Sequence, residues 1–121
     1  TESGLLETQA RELNPGFIKR MESGRPFVRV KMAMSLDGRT AMASGESQWI
    51  SGDASRNDVQ RLRAESSAIL TGIETVLADD PSMNVRLTAE QLGIETDSPQ
   101  VRQPKRVVLD SQFRMPLQAK I

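Results

Sequence analysis

Two arginines from different parts of the chain have the chemistry to bind one phosphate group together. Arg63 follows Val59 by one helical turn, on the inward-leaning side of a predicted helix, and Arg86 ends the segment "DDPSMNVR". Each guanidinium can bind phosphate oxygens through two donors, so two that converge would form a clamp. Taken singly, each is more often a solvated surface arginine, and the residues alone leave both alternatives open.

A lysine, a serine and a tryptophan lie near a predicted strand end and a helix start. Lys31 is either a solvated strand residue or a cation beside a reacting polar centre, since ligands of open α/β sheets bind outside the carboxyl ends of strands. Ser47 and Trp49 are two residues apart and point the same way in an extended segment. Trp49 precedes a helix start, where free N–H groups donate hydrogen bonds to anions. It forms either a hydrophobic lid over the sheet edge or an aromatic wall beside a flat ligand.

The segment "TVLADDP" carries a threonine and two aspartates that could face a ligand. Thr75 and Asp79 are four residues apart and share one helical face. Asp79 and Asp80 are adjacent, so they diverge and are poor candidates for a carboxylate pair that shares a proton. One of them could contact a ribose or a cofactor amide while the other caps the turn. The alternative is that both are turn residues.

Composition excludes several kinds of chemistry and partner. The chain has no Cys and no His, which excludes disulfides, thiolate nucleophiles, imidazole bases and the usual zinc sites, and we expect no bound metal. The 16 basic and 16 acidic residues balance, which argues against nucleic acid and anionic membrane as partners. No apolar run is long enough to span a bilayer. Neither a dinucleotide fingerprint nor a P-loop is present. The lack of Cys fits a cytoplasmic protein.

Hydrophobic periodicity and capping signals predict the helices that must position these residues. The first covers residues 5–13, and the second follows Asn14 as N-cap and Pro15 and stops at Gly24. A longer helix fits "GDASRNDVQRLRAES", with Asp53 as its N-cap. One or two helical turns fit "IETVLADD", closed by Asp80 because the residue before Pro leaves the α region. The stretch "LTAEQLGIETDSPQVRQPK" is polar and predicts no element.

Three strands are predicted between these helices. The first lies in "RPFVRVKMAMSLDGR", where Val28, Val30, Met32 and Met34 alternate with the other side chains. The second is "SAILTG", and the third is "RVVLD", whose continuous apolar run suits a strand covered on both faces. This alternation predicts an α/β fold with a largely parallel sheet. With few strands and only 37% apolar residues, we expect a domain that is incomplete in this chain or completed by another chain.

Three blocks of the sequence resemble one known family. The segments "KMAMSLDGRTAMASGESQWIS", "RLRAESSAILTGIETVLADDPSMNVR" and "RVVLDS" look like the reductase domain of the bifunctional riboflavin-biosynthesis deaminase/reductase, in the family's order and spacing. The resemblance implies a dihydrofolate-reductase-like α/β fold, a mostly parallel sheet flanked by helices. It further implies residues 1–25 as an interdomain connector, residues 26–121 as the N-terminal part of the reductase domain, and a homodimer.

The resemblance also implies an activity and its site residues. The reaction is the NADPH-dependent reduction of the ribosyl group of 5-amino-6-(5-phosphoribosylamino)uracil to the ribityl product, and Lys31 and Asp79 would lie near the carbon that receives the hydride. Substrate contacts would fall on Lys31, Ser47, Arg63, Met83 through its backbone, and Arg86. NADPH contacts would fall on Ala33, Trp49, Thr75, Asp79 and Ser111.

Some residues depart from the family pattern, and two other functions stay open. Glu74 occupies a position where the family has a small residue, and Gln60 replaces a common His before "LRA". The family's deaminase domain uses a His/Cys zinc site, so this chain cannot deaminate, and we expect it to be inactive alone. The alternatives are a related pterin or pyrimidine reductase and a non-catalytic fragment completed by another chain.

Overall fold

The computed structural model describes residues 2–95, 98 and 100–121, and its first two elements are short helices. Helix α1 spans Glu7–Leu13 and helix α2 spans Pro15–Ser23. The Arg11 guanidinium donates to the Glu22 carboxylate at 2.6 Å and joins the two helices. Gly24 has a φ of 66°, and its N–H bonds the Arg20 carbonyl, so α2 ends at the predicted glycine. Neither helix has a buried residue.

The predicted first strand, within residues 25–39, is not formed. Its chain has no ladder partner among the described residues, and Val28 and Val30 are 72% and 78% exposed. The alternating apolar pattern is present, but a strand also requires a neighbour that accepts its N–H groups and donates to its carbonyls. Arg29 attaches this segment to helix α3 through an ion pair with Glu65, at 2.8 Å.

Helix α3 spans Asp53–Glu65, and its N-cap differs from the predicted one. Gly52 is the N-cap, with extended backbone angles, while Asp53 is the first helical residue. The Asp53 carboxylate pairs with the Arg56 guanidinium one turn later instead of capping a backbone N–H. An acidic residue in the first turn still interacts favourably with the helix dipole.

The remaining elements form one parallel β-α-β arrangement. Strand β1 spans Ala68–Gly72, helix α4 spans Ile73–Asp79, helix α5 spans Ala89–Leu92 and strand β2 spans Lys105–Leu109. In the register of the two strands, Ala68 pairs with Lys105 and Gly72 with Leu109. Their carboxyl ends therefore meet at one sheet edge. The predicted α/β class with parallel strands is confirmed, as a partial domain with a two-stranded sheet.

Helix α5 lies in a stretch for which the sequence predicted no element. Thr88 and Gln91 form a capping box: the Gln91 N–H bonds the Thr88 hydroxyl, and the Thr88 N–H bonds the Gln91 side chain. Gly93 ends the helix with a φ of 70°. The pattern Thr-Ala-Glu-Gln was a signal that could have revealed this helix start.

The buried core is small and much apolar surface remains exposed. The described residues bury four aliphatic side chains around α4 and α5, which are Ile73, Val76, Val85 and Leu92, and Pro104 before β2 is buried as well. The accessible surface is 10062 Å², whereas a compact protein of this mass exposes about 6,500 Å². Strand β2 is not covered on both faces as predicted, since Leu109 is 59% exposed. This surface is large enough to receive a further layer of polypeptide. No helix in the described ranges has the length and apolarity to cross a bilayer.

We expect the isolated 121-residue chain to unfold without a sharp thermal transition and to bind the dye 1-anilinonaphthalene-8-sulfonate strongly. The reason is that the few apolar side chains buried among the described residues give too little burial to offset the conformational entropy of the chain. Circular dichroism during heating and dye fluorescence would measure this, with a compact protein of similar mass as reference. One sharp transition together with reference-level fluorescence would contradict the expectation.

Candidate functional site

Arg63 and Arg86 converge on one asparagine. The Arg63 Nη1 donates to the Asn84 backbone carbonyl at 3.0 Å, and the Arg86 Nη1 lies 3.4 Å from the Asn84 Oδ1. Burial, and then the charge of Arg86, lower the pKa of Arg63. Across the described ranges, neither guanidinium forms an ion pair with a carboxylate. Two neighbouring cations without a counter-charge are suited to an anion with several acceptor oxygens.

Two glutamines hold the backbone between these arginines. The Gln60 Oε1, on α3, accepts from the Arg86 N–H at 2.9 Å, and the Gln60 side chain is buried. The Gln103 Oε1 accepts from the Val85 N–H at 2.8 Å, and its Nε2 donates to the Val85 carbonyl at 3.2 Å. No site role was predicted for Gln60, Asn84 or Gln103 from the sequence. The role of Gln60 could have been suspected, because it is a polar residue one turn before Arg63 on the inner face of α3.

A second group of predicted residues lies at the carboxyl edge of the sheet. Helix α4 begins directly after β1 and carries Thr75 and Asp79, and Ser111 follows β2 by two residues. Because Gly72 pairs with Leu109, both connections leave the sheet at the same edge. All three side chains are exposed at this edge. A ligand could reach them from solvent.

Asp110 shapes the loop after β2. Its Oδ2 accepts from the Met115 N–H at 2.8 Å. Burial alone would raise the pKa of Asp110, but the backbone N–H groups of Arg114, Met115 and Gln112 outweigh it and hold the pKa below its ordinary value. Its Oδ1 is a buried atom without a hydrogen-bond partner. An orphaned acceptor at the edge that carries Thr75 and Ser111 fits a ligand that brings hydroxyl or amide donors, as a nucleotide cofactor does.

The two adjacent aspartates of α4 have different surroundings. Asp80 accepts from the Lys120 N–H at 2.9 Å and lies 3.0 Å from the Lys120 Nζ. The backbone N–H of Lys120, followed by its ammonium group, lowers the pKa of Asp80. Asp79 has no hydrogen bond or ion pair from its side chain within the described part of the chain. The Asp80 carboxylate therefore joins the end of α4 to Lys120, and Asp79 remains available to a ligand.

The structure does not join the remaining predicted residues to either group. Lys31 and Ala33 lie in the extended segment after α2, and Lys31 has no hydrogen bond or ion pair with any described residue. Ser47 is half-buried. Trp49 is 71% exposed, and the Arg56 guanidinium lies 4.6 Å from the centre of its ring. This cation–π contact, which sequence analysis did not anticipate, orients the indole from the first turns of α3.

No group of three or more candidate metal ligands occurs within residues 2–95, 98 and 100–121. The acidic side chains in these ranges are dispersed or paired with arginine and lysine. The polar clusters described above consist of arginine, amide and hydroxyl groups together with single carboxylates. They are therefore suited to organic and phosphate ligands more than to a multivalent cation.

Relatives of this chain are proteins of riboflavin biosynthesis. It is 58% identical over 113 residues to riboflavin biosynthesis protein RibD of Haemophilus influenzae, covering 92% of this chain and 30% of that protein. It is 54% identical over 114 residues to RibD of Escherichia coli, covering 93% and 31%. The chain thus spans about a third of the length of these curated relatives.

Solved structures agree with these sequence relatives. Acinetobacter baumannii RibD, form 1, superposes with a TM-score of 0.84 at 55% identity, covering 98% of this chain and 32% of that one. A diaminohydroxyphosphoribosylaminopyrimidine deaminase/5-amino-6-(5-phosphoribosylamino)uracil reductase from Thermotoga maritima superposes with a TM-score of 0.75 at 38% identity, covering 90% and 28%. The family profile of the RibD C-terminal domain matches residues 26–121. The chain therefore belongs to the RibD C-terminal domain family.

Proposed function

We propose that this chain is the N-terminal part of an NADPH-dependent reductase that converts the ribosyl group of 5-amino-6-(5-phosphoribosylamino)uracil to the ribityl group. The observation that carries the proposal is the pair of arginines that face Asn84 without a carboxylate partner in the described ranges. A sugar phosphate supplies the missing anion. Membership of the RibD C-terminal domain family and the uracil reductase activity named for the Thermotoga maritima relative support the same substrate.

The substrate side of the proposed site is built around this arginine pair. Arg63 and Arg86 would bind the phosphate, with Ser47 as a further hydroxyl donor and Met83 contributing its backbone. Met83 has a φ of 49°, so its peptide groups point in directions that an ordinary helix or strand does not allow. Such a backbone can present an N–H or a carbonyl to a ligand at close range.

The cofactor side is built around the carboxyl edge of the sheet. Thr75, Asp79 and Ser111 would hold NADPH there, while Ala33 and Trp49 would contribute a small backbone position and an aromatic wall. The edge fits a nucleotide because its hydroxyl and carboxylate groups match ribose and amide donors. When bound, NADPH supplies the hydride.

Lys31 and Asp79 are proposed to act at the reacting carbon. Opening of the ribosylamine ring breaks the bond between C1′ and the ring oxygen. The ring oxygen takes up the proton from the amine nitrogen, and a double bond forms between C1′ and that nitrogen. The product then requires one hydride at C1′ and one proton at nitrogen. The Lys31 ammonium can donate that proton, and the Asp79 carboxylate can stabilise positive charge that develops at the electrophile.

We propose that further polypeptide of the same protein completes the domain, and that the enzyme is cytoplasmic and acts as a homodimer. The exposed surface supports the completion of the domain. The accessible surface exceeds that of a compact domain by about 3,500 Å². The relatives' greater length fits this proposal. Below, "complete protein" means the polypeptide that contains this chain together with those further segments.

Absorbance at 340 nm with the aminouracil substrate would test the proposed function. We expect the complete protein to oxidise NADPH only when the phosphorylated substrate is present. A pterin reductase on the same fold would instead oxidise NADPH with a dihydropterin, and a non-catalytic piece would show no NADPH binding by calorimetry. Either of these results would contradict the proposed function.

We expect the stabilising effect of Asp110 to disappear in acid. Because its folded pKa is depressed, the contribution to the free energy of unfolding is present above the unfolded pKa of about 4 and is lost as the pH falls through the folded value. Urea unfolding of the complete protein and its Asp110→Ala variant from pH 7 to pH 2 would measure the difference. A difference that stays constant over this range would contradict the assignment.

A further inference from the structure

We propose that Gln60 and Gln103 are positioning residues for substrate binding, since they hold residues 83–86 in the shape that brings Arg86 beside Arg63. This inference rests on the proposed function for its ligand, a sugar phosphate. We call the hydrogen bonds from Gln60 and Gln103 to this backbone the brace. The two amides of the brace do not belong to the arginine pair. The brace therefore concerns the affinity for the phosphate and leaves the reacting carbon untouched.

Gln60 joins the two arginines through the backbone. It precedes Arg63 by three residues on α3, so both side chains leave the same helix face. Its Oε1 accepts from the Arg86 N–H, and the side chain is 5% exposed, the one buried polar residue in the described ranges. A buried amide keeps its place because its hydrogen bond would be costly to lose. Helix α3 thereby supplies one guanidinium and anchors the residue that carries the other.

Gln103 acts on the same backbone from the opposite side. It accepts from the Val85 N–H and donates to the Val85 and Val101 carbonyls, at 2.8, 3.2 and 3.3 Å. These bonds replace the ladder partner that residue 85 would have in a sheet. The Val85 side chain is 6% exposed and packs into the small core. Residues 85 and 86 are therefore held by side chains on both sides.

The conformation that the brace holds is a strained one. Met83 lies in the left-handed region, which costs a non-glycine residue free energy unless its surroundings impose it. Asn84, next to it, receives both guanidinium groups, one on its backbone carbonyl and one on its side chain. If Gln60 released the Arg86 N–H, this turn could relax and the two arginines could separate. The predicted consequence is a loss of phosphate affinity.

The test uses ribose 5-phosphate as the probe, and its affinity for the complete protein is measured by calorimetry at pH 8. Gln60→Leu removes the acceptor, and Gln60→Asn is too short to reach the Arg86 N–H. We expect each to weaken binding about tenfold. Gln60→His should bind within about threefold of the wild type, because an unprotonated ring nitrogen accepts a hydrogen bond at a similar reach. If Gln60→Leu does not fold, Gln60→Asn carries the measurement.

A matched control is Gln91→Leu. This glutamine also bonds the backbone of the same region, at Thr88, but among the described residues its side chain has no hydrogen bond to residues 83–86. It should change the affinity less than about twofold. Equal losses in Gln91→Leu and Gln60→Asn, or unchanged binding in Gln60→Asn, would overturn the brace. So would a wild type that does not bind ribose 5-phosphate.

The KM values separate a positioning role from general loosening of the domain. We expect Gln60→Asn and Gln103→Leu to raise the KM for the phosphorylated substrate about tenfold and to leave the KM for NADPH within about twofold. Equal increases in both would overturn the inference. If the complete protein binds ribose 5-phosphate but oxidises no NADPH, the proposed reductase function fails while the calorimetric test of the brace still stands.

Discussion

Replacing Arg86 by alanine should raise the KM of the complete protein for the phosphorylated aminouracil about a hundredfold and leave kcat nearly unchanged. The reason is that the Arg86 guanidinium would meet the phosphate, a part of the substrate that does not change during reduction. Losing it removes binding that the ground state and the transition state share. The Arg86 side chain is exposed and its N–H bond to Gln60 remains, so the fold should survive. Steady-state NADPH oxidation measures both constants.

The matched control for this prediction is Arg61→Ala. This substitution removes the same charge from the helix that carries Arg63. The Arg61 guanidinium donates to the Gln91 carbonyl at 3.5 Å and has no hydrogen bond to Asn84. Its KM should stay within about threefold of the wild type, since only long-range charge is lost. A dephosphorylated substrate gives a second control, because the Arg86→Ala effect should then vanish. An equal penalty with and without phosphate would disprove the clamp.

Replacing Asp79 by asparagine should lower kcat about a hundredfold or more, and Lys31→Ala should do the same. Both residues are proposed to act at the carbon that receives the hydride. There Lys31 would donate a proton and Asp79 would stabilise positive charge. Asp79 is exposed and its side chain has no partner among the described residues, so its removal breaks no structural bond. Single-turnover oxidation of bound NADPH would measure the chemical step directly.

The adjacent Asp80→Asn variant is the control for Asp79. It loses the same charge at the next residue, but Asp80 is engaged with the Lys120 N–H and ammonium group. We expect its kcat to stay within about twofold of the wild type and its thermal stability to fall slightly. Lys19→Ala on α2 is the control for Lys31→Ala, because it removes a lysine charge outside the proposed site, and its kcat should likewise stay near that of the wild type. If Asp79→Asn and Lys31→Ala turn over at the wild-type rate, both catalytic assignments are wrong.

Elements with local signals were predicted well from the sequence. The Asn14–Pro15 start and the Gly24 stop defined α2, and the short apolar run "SAILTG" followed by a helical stretch defined β1 and α4. In each, the deciding contacts lie within a few residues of one another, so periodicity and capping residues suffice. Helix α5 was not predicted although its capping residues Thr88 and Gln91 also lie within a few residues of one another.

The predicted first strand shows the limit of local pattern. Val28 and Val30 alternate as strand residues do, yet the segment has no ladder partner in the described chain. A strand is defined by a neighbour that is remote in sequence, and hydrophobic alternation says nothing about where that neighbour is. The same is true of β2. Its apolar run predicts cover on both faces, and the described residues leave Leu109 59% exposed.

The sequence by itself determined the class of fold, the family resemblance and the identity of two arginines that could bind a phosphate. Only the tertiary structure decided that Arg63 and Arg86 meet at Asn84. It also decided that Asp80 bonds Lys120. The bonds from Gln60 and Gln103 to residues 85 and 86 were likewise decided by the tertiary structure. The physical reason is the reach of the contacts. Gln60 bonds a residue 26 positions away and Gln103 one 18 positions away. Hydrogen bonds of this kind depend on how α3, the turn and the sheet pack together, and no periodic pattern in the sequence encodes them.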